Sequence, residues 1–393
     1  MARMAGQHEH RRLAVIVAVP KIGYWTKDIL SPTREKPRRQ EASAVELASG
    51  GLLLLWSEFD GRSDNARATI MAMASTDKGE TWGGSGEVGQ GDQKTWTAVE
   101  NTAGLNVMSP AVRRLGDGGL GMVYSHREST SDATRLFVRS DDEGRTWAPP
   151  VRLPQEESYT TGCHDRLTVL DGGRLVAPLH CTQDWNLHHL SVRCAWSDDN
   201  GASWKLSHAI ELPKVSDSGE SGCIEPDVAQ RADGSLLMAI RTAMGTVFRA
   251  ESRDGGETWT GLRSMEVVNP VAPALLRRIP QNPRSNGNDD LLLIWNWHYD
   301  WRERLAGVRH KLACAISTDG GNSWPLSRRK ILENDPELSA SYPTCTFLGS
   351  GADAEAFITY RWGGHITRRH DPEDPAGWIG SKAARIPLSW FYS

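Results

Sequence analysis

The stretch STDKGETW, Ser75–Trp82, recurs as SDDEGRTW (Ser140–Trp147), SDDNGASW (Ser197–Trp204), SRDGGETW (Ser252–Trp259) and STDGGNSW (Ser317–Trp324). The shared pattern is S-x-D-x-G-x-[ST]-W, with 65, 57, 55 and 65 residues between successive serines. That period is longer than a hairpin or a helix pair needs and suits a four-stranded sheet with its loops. Each copy follows an alternating strand such as RLFVRS or KLACAIS, so it stands where a strand ends and a turn begins. The aspartate is expected to fold back onto turn amides, and the glycine to supply a positive φ. The tryptophan is expected to bury its ring between neighbouring sheets.

A weaker phrase runs between the copies: LASGGLLLLW, LGDGGLGMVY, LDGGRLVAPL, RADGSLLMAI, GNDDLLLIW and GADAEAFITY. Each is a Gly/Asp turn followed by an apolar strand, which predicts six units. With no long stretch of helical period, the expected fold is all-β, a six-bladed β-propeller with repeated boxes. One domain is expected to span residues 1–393, with an N-terminal strand at about 13–19 pairing with C-terminal RIPLSWF to close the ring. Closure of that kind removes the last open sheet edge.

The bulk numbers narrow the function. Hydrophobic residues at 39%, charged residues at 24% and a net charge of −4 describe an ordinary globular chain without a basic footprint for nucleic acid. LAVIVAVP (Leu13–Pro20) is too short to span a membrane, and no A-x-A cleavage site follows it. The six cysteines are dispersed without a C-x-x-C pair, which predicts buried thiols and favours a cytoplasmic location. No H-E-x-x-H or regular His/Asp spacing calls for a metal, and GDGGLG lacks the helix that a phosphate loop requires. No cofactor is expected.

The eight-residue phrases resemble the Asp boxes, or BNR repeats, of the sialidase superfamily, and the resemblance extends from the first repeat to the last. It implies an exo-acting glycoside hydrolase that removes a terminal acidic sugar from a glycan or oligosaccharide. CIEPDVAQRADGSLLMAIRT is similar to the segment in which a glutamate, here Glu225, acts as base and an arginine, here Arg241, grips the substrate carboxylate. The resemblance assigns Arg309 as a further carboxylate-binding arginine, with Arg302 and Arg304 as substitutes. Tyr342, in ASYPTCTFL, falls where the family has its nucleophile. A phenol titrates near 10, so it needs a base such as Glu225 to activate it. The family's general acid comes from the loop that here holds Asp60 and Asp64, with Asp64 fitting the spacing better.

The chain departs from that pattern at PRRQEASAVEL, where Glu41 aligns with the family's first arginine. Loss of one charge-assisted contact removes roughly 1.5–3 kcal/mol of binding. Arg38 and Arg39 are adjacent, so only one is expected to face a central channel. Arg166, in GCHDRLTVLDGGRL, is the expected replacement, and His164 is a candidate proton carrier. IWNWHYDW, with Trp295, Asn296, Trp297, His298 and Trp301, is a candidate sugar-stacking platform, and Met108 a candidate apolar wall. Two rival readings remain open: a propeller lyase acting on uronate sugars through Tyr342 and His164, and a non-catalytic carbohydrate-binding propeller.

Overall fold

The computed structural model describes residues 25–83, 95–214, 220–281, 283–285, 290–299, 308–365 and 377–393. These residues are strand and turn almost throughout, with one short α-helix at Leu388–Phe391. Hydrogen bonds assemble the strands into four sheets of nine, ten, four and four strands. The smaller sheets show the repeating unit most plainly. Ile224–Gln230, Leu236–Arg241, Thr246–Ser252 and Thr260–Val268 pair antiparallel in chain order, as do Leu275–Arg278, Leu291–Asn296, Lys311–Ser317 and Arg329–Asn334. The Gly/Asp phrase makes the first hairpin of the unit, and the box begins on the last residue of the third strand.

The larger sheets contain the same units joined at their edges. A single parallel bridge, Tyr159↔Ala133, links the halves of the ten-stranded sheet. In the nine-stranded sheet the two ends of the chain meet: Arg38 pairs parallel with Ile379, and Trp25–Leu30 runs antiparallel to Ile379–Pro387. The strand expected at 13–19 lies outside the described residues; the pairing with the C-terminal strand is made by Trp25–Leu30.

Sheets stack face to face, so their middle strands are covered on both sides. Leu52–Phe59 is buried at every position, which explains a nearly continuous apolar run where one wet face would have produced alternation. The boxes fasten this stack. In each, the serine hydroxyl accepts the glycine amide at 2.8 or 2.9 Å, and the aspartate accepts the serine hydroxyl and the amide of the Ser or Thr four residues further on. The bare glycine then lies against the preceding repeat: a Cβ on Gly201 would meet the Phe137 ring at 2.1 Å, and one on Gly79 would meet Phe357 at 2.6 Å. Gly79 belongs to the first box and Phe357 to the last repeat, so the two ends of the chain are packed together as well as paired. Indole N–H groups of Trp204 and Trp259 close onto the carbonyls of their own box glycines at 3.0 Å.

All six cysteines are buried and unpaired with one another. Among the described residues, no helix is long and apolar enough to cross a membrane, and no group of three or more His, Cys, Asp or Glu is placed to hold a metal ion.

Two glycines with nearly the same backbone separate the cost of a strained φ from that of the contact. Gly201 (φ +89) faces Phe137, whereas Gly173 (φ +86), in a hairpin turn, has nothing within 4 Å of the point where a methyl group would stand. Gly201→Ala should therefore destabilise by about 1–3 kcal/mol more than Gly173→Ala, measured by denaturant unfolding. Equal losses would show that the box glycine is chosen for its dihedral angle alone.

Candidate active site

The first strand of several repeats is bent at one equivalent point, and the bend aims side chains into a common cavity. Glu41, Ser109, Asp165, Glu225 and Tyr342 have φ of 57°, 57°, 57°, 40° and 56°. Non-glycine residues avoid this left-handed region, which costs of order 1–3 kcal/mol, so its recurrence marks a built feature of the fold. The ladders break there, between Gln40 and Ser43, Met108 and Ala111, and Ile224 and Asp227, as in β-bulges. Proline follows at Pro110, Pro226 and Pro343; without an N–H it has nothing to lose where a ladder is interrupted.

Four of these five residues, all but Asp165, line a cavity of about 490 Å³ together with Arg38, Asp64, Arg241, Arg309 and Arg361. Glu225 and Arg241 are joined by a short ion pair, and Glu220 takes the other side of the same guanidinium. Burial opposes the charge of Arg241, but the two carboxylates outweigh it and raise its pKa. Arg309 donates to the Val271 carbonyl and lies 5.5 Å from the centre of the Tyr342 ring. The phenol of Tyr342 is raised above its ordinary value, first by burial and then by the charge of Glu225, while Arg309 and Arg241 pull it back. It is therefore a neutral hydroxyl in the resting protein, with a carboxylate close enough to act on it electrostatically.

The gap expected at Glu41 is filled from a position three residues earlier. Arg38 reaches the cavity, where it pairs with Asp64 and, at 3.2 Å, with Glu41. Arg39 turns the other way, to Glu58 at 2.9 Å and the Ser31 carbonyl at 3.2 Å. Glu41 does not intrude as a free anion: it accepts from Arg38, from Gln40 at 2.8 Å, from Ser57 at 3.1 Å and from Ser109 at 3.0 Å. It holds Arg38 in place. Asp64 stands at the mouth with 70% of its side chain exposed, and the charge of Arg38 is the main cause of its lowered pKa. Asp60 is outside the cavity lining and pairs with Lys36.

Arg166 is a correction. Its side chain is fully buried, donating to the carbonyls of Pro343 at 3.2 Å and Ala274 at 3.1 Å and lying 3.4 Å from Asp227. It ties inner strands together beneath the cavity and is not available to a substrate. His164 does line the cavity, but its Nε2 donates to the Tyr342 carbonyl at 3.1 Å, and burial, aided by Arg166, pushes its pKa down to about 3. That ring is a fixed neutral donor and a poor proton carrier.

Met108 lines the cavity as an apolar patch. Trp295 and Trp297 of IWNWHYDW do not: Trp295 is wholly buried and Trp297 packs beside it at 6.4 Å, both under Arg329; Trp301 is outside the described residues. Arg302 and Arg304 are likewise outside them. The aromatic wall is instead Tyr159 and Trp185, with ring centres 4.4 Å apart. Sequence reasoning missed these two along with Glu220, Arg127 and Arg361. None carries a local motif; only the recurring X-Pro step could have pointed to the inner strands that surround them.

The pattern of the BNR repeat-like domain matches residues 50–352. The sialidase of Paraclostridium sordellii is 27% identical over 252 residues, covering 58% of this chain and 57% of that protein. The sialidase of Micromonospora viridifaciens is 24% identical over 374 residues, covering 84% of this chain and 51% of that one. The chain thus spans about half the length of the curated relatives it matches. Among solved structures, the intramolecular trans-sialidase of Ruminococcus gnavus, in complex with oseltamivir carboxylate, superposes with a TM-score of 0.66 at 14% identity, covering 92% of this chain and 96% of that one. A Trypanosoma rangeli sialidase mutant with trans-sialidase activity superposes with a TM-score of 0.65 at 16% identity, covering 93% and 59%. Such sialidases are β-propellers, and the likeness is one of fold.

His180 shares the state of His164, burial pushing it down to about 3. Both rings stay neutral in the folded protein well below the ordinary value of 6.5 at which they take a proton when unfolded. Acid therefore favours the unfolded chain, and stability present above pH 6.5 is lost as pH falls toward about 3, at roughly 1 kcal/mol per pH unit for each ring. The drop in melting temperature between pH 7 and pH 5 should shrink in His164→Gln/His180→Gln. An undiminished drop would place the acid sensitivity elsewhere.

Proposed function

Because the chain belongs to the BNR repeat-like domain family, of the sialidase-like kind, we propose that it is an exo-acting glycoside hydrolase built as a six-bladed β-propeller, removing a terminal acidic sugar with retention. The observation that carries this reading is the meeting of Tyr342, Glu225, Asp64 and three arginines, Arg38, Arg241 and Arg309, in one cavity from distant parts of the chain.

In this reading the arginines hold the substrate carboxylate beside the reacting carbon. Glu225 takes the phenolic proton as the Tyr342 oxygen bonds to that carbon, and Asp64 gives a proton to the departing glycosidic oxygen. Water then attacks the same carbon and yields its proton to Asp64, while Glu225 returns its own to the phenolate as the tyrosine leaves. A neutral phenol avoids setting a carboxylate nucleophile against an anionic sugar.

The pairing of Asp64 with Arg38 explains how an acid can operate from a lowered pKa. A substrate carboxylate arriving at Arg38 competes with Asp64 for the guanidinium, and release from that charge lets Asp64 gain a proton at the moment it is needed. The lyase alternative draws no support from His164, whose proton is committed to the Tyr342 carbonyl.

Incubation with fluorogenic glycosides of sialic and uronic acids tests the reading. Tyr342→Phe and Glu225→Gln should each lower kcat by at least about 100-fold. Turnover that persists in both would remove these roles, and an unsaturated uronate product, seen by its ultraviolet absorbance, would indicate elimination. In the same assay Arg309→Ala should raise KM about 10-fold or more for the acidic glycosides and leave neutral ones unaffected.

A further inference from the structure

Among the described residues, six arginines line the cavity, Arg38, Arg62, Arg127, Arg241, Arg309 and Arg361, with four acids, Glu41, Asp64, Glu220 and Glu225. The pairings are uneven. Arg38 is engaged by Asp64 and Glu41, and Arg241 by Glu220 and Glu225. Arg127 donates to the Asp64 carbonyl at 2.6 Å and to the Asn65 side chain at 3.0 Å. Among the described residues, Arg309 has only the Val271 carbonyl as an acceptor.

Arg361 stands apart. It lies on Glu355–His365, opposite Ser341 on the strand that leads into Tyr342. Among the described residues it has neither a carboxylate partner nor a hydrogen-bond acceptor, and its Nε is buried and unpaired. Burial, followed by the charges of Arg309 and Arg38, pushes its pKa down to about 10. The side chain is only partly exposed, its Nε is out of water, and the like charges of Arg309 and Arg38 act on it more strongly than the opposite charge of Asp64, a situation that is costly unless an anion joins it.

We propose that Arg361 is a fourth substrate-binding arginine, which with Arg309 forms the open half of the carboxylate clamp. The proposal rests on the acidic-sugar reading above and adds a residue to it. Arg38 and Arg241 enter the complex already shared with acids, so an incoming carboxylate meets its least committed donors at Arg309 and Arg361. Discrimination between a carboxylate and an uncharged group of the same shape is then carried largely by this pair.

Calorimetric binding of 2,3-unsaturated sialic acid and of its carboxamide tests this on the full chain, with kcat and KM measured on a fluorogenic sialoside. Arg361→Met should weaken the carboxylate about 10- to 100-fold while changing the amide less than about 3-fold, and should raise KM with kcat nearly kept. Arg361→Lys should fall between, since it keeps the charge without the planar fork. Equal weakening of both ligands, or no change in either, overturns the proposal while leaving the acidic-sugar reading intact. A wild-type protein that binds neither ligand overturns the proposal, and one that also turns over neither the sialic nor the uronic glycosides overturns the acidic-sugar reading with it. Should the methionine variant fail to fold, as judged by its melting transition, the carboxylate-to-amide ratio of Arg361→Lys decides: an unchanged ratio overturns the proposal.

Discussion

The arrangement turns on one buried carboxylate. Asp165 is wholly inaccessible and accepts from Ser43 at 2.8 Å, Arg113 at 2.6 Å, Arg277 at 2.6 Å and the Cys345 amide at 3.2 Å. Those donors come from inner strands of four other repeats, so a single side chain holds the middle of the molecule together. Burial would raise the pKa of such a group, but Arg113 and Arg277 hold it well below the usual carboxylate range. Arg277 extends the network to Asp227 at 2.7 Å, and Asp227 in turn accepts the Leu276 amide at 2.8 Å. A buried ion pair gains little over an apolar core, yet losing one partner is severe, typically about 3–5 kcal/mol. Directional bonds fix the relative position of the inner strands as a greasy contact would not.

That registration matters because the cavity is assembled from bends in the same strands. Asp165 shares its left-handed backbone with Glu41, Ser109, Glu225 and Tyr342. One geometric device thus serves two ends: at Asp165 it turns a carboxylate into the buried interior, and at the others it presents side chains to the cavity. Strain at each bend persists because the surrounding ladders and the buried network around Asp165 determine the position from several sides. The Glu41 carboxylate, held by four donors, carries the same logic outward by fixing Arg38.

The boxes stand on a different footing. Their serines, aspartates and glycines are consumed by turn hydrogen bonds and by packing on the preceding repeat, as with Gly201 on Phe137 and Gly79 on Phe357. They set the spacing of the sheets and leave the chemistry to the inner strands. A scaffold of this kind tolerates changes in its cavity, which is how Arg361 can be present there without disturbing the fold.

The repeated phrase and its period were enough to establish an all-β chain of stacked small sheets, since turn chemistry and strand alternation are local and survive in sequence. Glu225, Arg241, Arg309, Tyr342 and Asp64 could be picked out through family resemblance, and all five line one cavity. Other decisions needed the folded chain. Adjacent Arg38 and Arg39 differ only in which side of a bulged strand they leave, Arg166 is buried beneath the cavity, and His164 lines it with its N–H already committed to the Tyr342 carbonyl. The aromatic wall of Tyr159 and Trp185 and an Arg361 without a carboxylate partner among the described residues arise from segments far apart in sequence. Orientation at a bulge, burial and neighbouring charge are properties of contacts across repeats, and no local pattern of residues encodes them.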